Sequence, residues 1–450
     1  CSLAALRTAG WVAEAATAAL AWAGTGLIIR NAVTWGLEDV PNERSSHTRV
    51  TPRGGGAAIV AASLAGFLLL ALAAAALPHL AGPGQPPDQG TFASLLAQDA
   101  AWLHSLRPLV WIALPLLFAA LVLGILGLQD DRQPLSIRLR LGFQLFCCAW
   151  LLVVLSSLPG AGGAWASLKE QLWQLLAGWG LPGMSETFTQ AEARDALLPA
   201  LMTLGLVVAL MLLGTWWINL YNFMDGIDGI AASQALFMLL AGVLLRSLVL
   251  TETGADTAPS LLERLQLQFL MTDPWSVGSL IIAAATTGFL VHNWAPARIF
   301  MGDAGSLFLG FSILAVAGLD ITGHLTWLRE AQLTGDTDVS AGYGIPVTSW
   351  MILGALFITD ATVTLLRRLL GGQRVGDAHR SHAYQRLSRH WNSHARVTLV
   401  YCLINVLWLL PLAALARLQP SLAWHLVTVA YLPLIIAAFL LGAGRKEPVS

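Results

Sequence analysis

Eleven stretches of this 450-residue chain are apolar over lengths close to the roughly 20 residues that an α-helix needs to cross a bilayer's hydrocarbon core. They run at about 9–29, 54–77, 109–127, 141–158, 197–217, 229–250, 276–291, 304–319, 346–366, 397–415 and 424–442, the seventh and eighth being short and Gly-rich. Composition agrees: 56% of the residues are hydrophobic and only 11% charged, against about 25% charged in soluble domains. So few polar side chains could not cover a water-facing surface. The expectation is an all-α, polytopic integral membrane protein with about 10–11 transmembrane helices, a single transmembrane domain over 1–450. Trp11 to Ile29 reads as a retained first helix, since no small-residue cleavage site follows it.

Orientation follows from where the basic residues lie. The connections at about 30–53, 128–140, 218–228, 292–303 and 367–396 hold fifteen Lys and Arg; the alternate connections, longer in total, hold six. The first set is therefore expected on the cytoplasmic side. The four longer members of the other set (78–108, 159–196, 251–274, 320–345), beside the short connection after the tenth stretch that holds Arg417, are rich in Gly, Pro, Ser, Thr and Trp and read as external connectors and short interfacial helices. No basic tract interleaved with aromatics suggests nucleic acid. The four cysteines, Cys1, Cys147, Cys148 and Cys402, form no CxxC and no zinc spacing.

All the dense polar clusters fall in the first set of connections, a coincidence that the counting of apolar stretches did not impose. The first runs from Pro41 to Gly56 and contains Arg44, His47, Arg49 and Arg53 ahead of a triple glycine. Glycines let a backbone approach a ligand closely, and amides at a helix start suit phosphate; the same stretch would also serve as a positive-inside anchor with a hinge. The second is Asp130-Asp131-Arg132. Adjacent carboxylates repel and are costly beside a bilayer unless compensated, and Mg²⁺ takes one or two carboxylates together with phosphate oxygens.

The third cluster, Asn219 to Gly229, spaces Asn219, Asn222 and Asp225 three apart, as if on one helical face, and adds Asp228 with no basic residue in its own loop. The fourth, Asn293 to Ser306, places Asp303 between two glycines, with room for a metal or phosphate or simply as a helix cap. The fifth, Asp377 to Leu387, sets His379 and His382 three apart among arginines, a pattern suited to a diphosphate or sugar. A zinc site there lacks a third soft ligand.

These five clusters, in this order over about 41–387, resemble the polyprenyl-phosphate N-acetylhexosamine-1-phosphate transferase family (glycosyltransferase family 4). That family includes phospho-N-acetylmuramoyl-pentapeptide transferase and the transferases that initiate O-antigen and lipopolysaccharide synthesis. The resemblance implies transfer of an N-acetylhexosamine 1-phosphate from a UDP-sugar to undecaprenyl phosphate at the cytoplasmic face of the bacterial inner membrane, releasing UMP. It implies Mg²⁺, or Mn²⁺, on Asp303 with help from Asp225. It assigns catalytic work to Asp130, Asp131, Asp225 and Asp228, and substrate contacts to Asn222, Asn293, His379 and His382; Arg53 and His47 of the first cluster are read beside them as substrate contacts. It allows a homodimer. The last motif here reads HRSHAYQRL, without the three consecutive histidines of the pentapeptide enzymes, and so is similar to the lipopolysaccharide branch that uses UDP-linked 2-acetamido sugars, deoxy forms included. The alternatives are the pentapeptide-type step and, from a different class, an ion-coupled transporter, which would bury its acids within spans near the midplane.

Overall fold

The computed structural model describes residues 2–41, 49–80, 92–178, 188, 197–248, 274–334, 344–373 and 379–446. His47, one of the expected substrate contacts, lies outside the described residues. Every one of the eleven apolar stretches is helical: α1 (Ser2–Trp35), α2 (Gly56–Leu80), α3 (Phe92–Arg132), α4 (Ile137–Ser156), α6 (Leu197–Phe223), α7 (Ile230–Ser247), α8 (Pro274–Asn293), α9 (Gly302–Thr334), the pair α10 (Val347–Leu353) and α11 (Ala355–Leu370), the run from α13 (His394–Ile404) into α14 (Leu410–Leu418), and α15 (Ala423–Leu440). Two shorter helices, α5 (Ala161–Gly178) and α12 (Ala383–Trp391), lie between them. The only strands among the described residues are β1 (Glu38–Asp39) and β2 (Thr51–Pro52), an antiparallel pair.

Nine of these helices are long and apolar enough to cross a membrane, or ten if the bent α10–α11 pair is one span, counted over the described residues; α2, apolar over Gly56–Leu72, is the remaining stretch. The outer faces carry large exposed apolar side chains, among them Leu204, Leu212 and Leu213 on α6 and Leu407 and Leu440 near the C-terminus. Contiguous apolar surface of this extent is not stable in water and fits lipid. The chain is a multi-pass membrane protein.

The expected eighth span was short, but α9 runs 33 residues, because its second half is polar enough to hide from hydropathy while Leu, Glu, Ala and Gln there keep good helix propensity. Its first half is buried nearly throughout, and the helix packs against α2, α3, α5 and α6, with Gly163 of α5 meeting Arg329 in its second half. The glycines of the first cluster explain one such contact. A Cβ on Gly56 would lie 2.1 Å from the backbone nitrogen of Gly305, so α2 and α9 cross backbone to backbone. The amides of Gly55 and Gly56 donate to Phe300 and Met301 carbonyls at 3.0 and 2.8 Å. Those glycines were expected to approach a ligand; they serve a helix crossing, and their amides are already engaged.

Candidate active site

The N-terminal end of α9 gathers the acidic clusters. Gly302 has φ +72°, which glycine adopts without strain, and a Cβ on it would collide with the Asp131 carboxylate. Asp131, at the end of α3, accepts the amides of Asp303 and Ala304 at 2.9 and 3.3 Å and Arg53 Nε at 2.7 Å, with its side chain fully buried. It therefore caps α9 from another helix, where a carboxylate is favoured by the unpaired amides of a helix start. Its neighbour Asp130 accepts the Leu135 amide at 2.6 Å and Arg140 Nη1 at 2.7 Å. Neither acid of this pair is in the lining of the cavity of about 230 Å³ onto which Asp303 opens.

Asp303, the second residue of α9, accepts two hydrogen bonds and makes a longer ion pair, with partners from three elements. Arg53 Nη2 and Asn222 Nδ2 each lie 3.1 Å from its Oδ1, and Arg140 Nη1 lies 3.7 Å from its Oδ2. Arg53 is placed by β2 and the loop of residues 294–301: its amide donates to the Leu37 carbonyl, and the Phe300 amide donates to the Pro52 carbonyl. Asn222 also donates to Ser306 Oγ at 2.9 Å. The three-residue spacing of Asn219, Asn222 and Asp225 does not form one face of the site. Asn219 turns to Gln144 on α4 at 2.7 Å, and α6 ends at Phe223, before Asp225.

A cavity of about 230 Å³ opens here, lined among others by Asp39, Arg53, Asn222, Asp225, Asp228, Asn293, Asp303, Gln385 and His394. Burial, then the neighbouring Asp303 carboxylate, push the Asp225 carboxyl up to about 7. Asp228 is fixed on both oxygens, by His394 Nδ1 at 3.1 Å and by the Ala297 amide at 3.0 Å. Asn293 accepts the Gly229 amide at 3.0 Å and donates to the Ile299 carbonyl at 2.9 Å, tying the Asp228 turn to the loop before α9. A second cavity of about 410 Å³, with Arg380, Ser388, Arg389 and Asn392 in its wall, shares Asp228 and His394 with the first.

The histidine loop sits apart from this floor. His382 is buried at the start of α12, with Nδ1 3.3 Å from Asp360 Oδ1 and its ring stacked on that of His379 at 5.0 Å. Neither histidine lines the acidic cavity. Burial, then His382, lower the His379 pKa to about 3, so it is neutral at physiological pH.

The profile of glycosyl transferase family 4 matches residues 113–320. The chain is 27% identical over 386 residues to decaprenyl-phosphate N-acetylglucosaminephosphotransferase of Mycobacterium tuberculosis (strain CDC 1551 / Oshkosh), covering 85% of this chain and 76% of that one. It is 25% identical over 384 residues to a probable undecaprenyl-phosphate N-acetylglucosaminyl 1-phosphate transferase of Bacillus subtilis (strain 168), covering 85% and 78%. It is 30% identical over 343 residues to phospho-N-acetylmuramoyl-pentapeptide-transferase of Mycolicibacterium smegmatis, covering 74% of each. The chain belongs to glycosyl transferase family 4.

In this family-4 chain the structure brings together Arg53, Asn222, Asp225, Asp228, Asn293 and Asp303 in one wall, with Asp130 and Asp131 directly behind it. It adds residues that the sequence reading did not single out: Asp39 on β1, Gln385 on α12, and His394. His394 had a local signal, because Ser393 caps α13 in front of it, accepting the Arg396 amide at 3.3 Å. No signal in sequence linked it to Asp228, 166 positions earlier.

As a metal site, the described residues hold no group of three or more His, Cys, Asp or Glu arranged around one point. The chemistry of the donors nevertheless fits Mg²⁺, which needs only one or two protein carboxylates and completes its shell with water and substrate phosphates. Asp225 and Asp303 share the cavity, and the raised Asp225 pKa means that its charge calls for a proton or a cation.

Proposed function

We propose that this protein transfers an N-acetylhexosamine 1-phosphate from a UDP-sugar to undecaprenyl phosphate, yielding undecaprenyl-diphospho-sugar and UMP, as the initiating step of O-antigen, lipopolysaccharide or a related envelope glycan. The observation that carries this reading is the convergence of Asp225, Asp228 and Asp303 on one cavity that Arg53 also lines. Family membership and relatives whose names specify polyprenyl-phosphate N-acetylglucosamine transfer support the reaction class. The fifteen basic residues on the site's side support a cytoplasmic face in the inner membrane.

The attacking oxygen belongs to a phosphate monoester whose second pKa is near 6, so it is largely ionised and needs no strong base. The site's task is to bring a dianion against a diphosphate. Mg²⁺ or Mn²⁺, held by Asp303 and Asp225, supplies neutralisation of the phosphate charge when bound. Arg53 and Arg140 set the Asp303 carboxylate from two sides, and Arg53 also lines the cavity. Asp130 and Asp131 act through those arginines and through the start of α9. His394, oriented by Asp228, faces both cavities and is placed to bind the donor. Positioning and electrostatics carry the rate.

The test is to incubate membranes containing the protein with undecaprenyl phosphate and a panel of UDP-2-acetamido sugars, with UDP-N-acetylmuramoyl-pentapeptide as the rival donor. UMP release with a UDP-2-acetamido hexose, lost in EDTA and restored by Mg²⁺, is the expected result. UMP only from the pentapeptide donor would move the protein to the peptidoglycan step, and no UMP from any donor would end the transferase reading.

A further inference from the structure

Asp360, about a third of the way along α11, is buried at 3% exposure and lies outside every acidic cluster of the sequence. Its Oδ1 accepts the Ala383 amide at 2.8 Å, and its Oδ2 accepts the Tyr384 amide at 2.9 Å and the Tyr401 hydroxyl at 3.1 Å. Thr364 Oγ1 lies 3.2 Å from Oδ1 and His382 Nδ1 3.3 Å from it. One carboxylate from the broken span thus gathers the first turn of α12, the histidine before it and a tyrosine of α13. The carboxylate suits the unpaired amides of that helix start.

What that turn touches gives the contact a consequence. The Tyr384 hydroxyl donates to the Phe223 carbonyl at 3.0 Å, two residues before Asp225. Gly226 packs so tightly on that hydroxyl that any Cβ there would overlap it. The next residue, Gln385, lines the acidic cavity. Bound phosphate or metal drawn toward Asp225 would pull on a short turn with glycines at 226 and 229, and the Tyr384 ring is what stands behind it.

We propose that Asp360 is a positioning residue of the transferase site, fixing the first turn of α12 so that Tyr384 braces the Asp225–Gly226 turn. This rests on the acidic cavity being the site of transfer. Asp360 touches no reacting atom; it acts through Tyr384.

The experiment compares Asp360→Asn, Asp360→Glu, Tyr384→Phe and the Asp360→Asn/Tyr384→Phe double variant, purified in detergent. Misplacement of a catalytic group by a fraction of an ångström costs roughly ten- to a hundred-fold in rate, so Asp360→Asn and Tyr384→Phe are each expected to lose about that much kcat while the donor KM stays within about two-fold. Because both act along one path, the double variant is expected to lose no more than the worse single one. Asp360→Glu, which keeps the charge, is expected to recover part of kcat. Hydrogen exchange is expected to rise in the peptide over 222–229 and in the first turn of α12, with α2 and α9 unchanged. Fully additive losses, a Tyr384→Phe variant with wild-type kcat, or exchange that rises throughout the chain would each overturn the proposal. The exchange measurement needs no turnover, so it decides the Asp360–Tyr384 coupling even if no UDP-sugar proves to be a donor.

Discussion

Asp131 and Asp303, both at the start of α9, differ in what holds them, and this separates their roles. Asp131 has its oxygens filled by two amides and a guanidinium and no exposed side-chain surface. Removing it strands two amides of a helix start and the partly exposed Arg53 guanidinium, so Asp131→Ala is expected to destabilise the protein by about 1–3 kcal/mol, read as a lowered melting temperature and reduced folded yield. Asp303 keeps 16% of its side chain open to the cavity. Asp303→Asn retains the size and most of the hydrogen bonds but not the charge; it is expected to cut transfer more than about 100-fold with an unchanged melting temperature. Turnover near wild type in that variant, with Mg²⁺ supplied, would remove Asp303 from the metal. At His379 the linkage has a definite sign. Its folded pKa of about 3 lies below the ordinary 6.5, so the unfolded chain binds more protons between those values and stability is lost as pH falls through that window. His379→Gln is expected to flatten the drop in melting temperature between pH 6.5 and 5, and to leave the curve above pH 7 where it was.

At the scale of elements, the site depends on where α9 starts relative to α2, α3 and α6. The α2–α9 crossing is set by Gly56 against Gly305, where even a methyl group would meet backbone. Gly56→Ala is expected to push the two helices apart, moving Asp303 away from Arg53. Size-exclusion of the solubilised variant should show a folded monodisperse protein with transfer reduced at least about ten-fold; full activity would mean that the crossing has slack which the geometry denies. The α10–α11 break matters for a different reason. The two halves meet at 71° at Gly354, and the turn sends α11 and its Asp360 toward the site instead of continuing a straight span.

For the whole molecule, the governing fact is that the acids of α3, the α6–α7 turn and α9 lie at one end of the helix bundle. Asp320, 17 residues along α9 from Asp303, pairs with Arg246 at 2.8 Å about 25 Å away along the axis, toward the opposite face. An impermeant maleimide should therefore reach Arg138→Cys and Arg389→Cys from one side of the membrane alone, and Gly162→Cys from the other side alone. Labelling of Arg138→Cys and Arg389→Cys from opposite sides would separate residues that the fold holds at the same end of the bundle.

The helical character of the apolar stretches, and the polar residues Arg53, Asn222, Asp225, Asp228 and Asp303 at their edges, were legible in the sequence, because hydropathy and local charge are properties of short segments; of the eleven stretches counted, nine or ten are long and apolar enough to cross a membrane among the described residues. Length was misjudged where α9 turns polar, since hydropathy measures affinity for lipid and not helix formation. Which aspartate caps a helix and which opens to solvent was not legible: Asp130 and Asp131 sit in one helix end, and Asp303 differs from Asp131 only in what surrounds it. The glycines at 54–56 carried no mark to tell a helix crossing from a ligand loop. His394 and Asp360 lay outside the acidic motifs, with partners in space at Asp228, 166 positions away, and at Tyr384, 24 positions away. Those assignments depend on contacts between distant segments, and only the packing of the helices creates them.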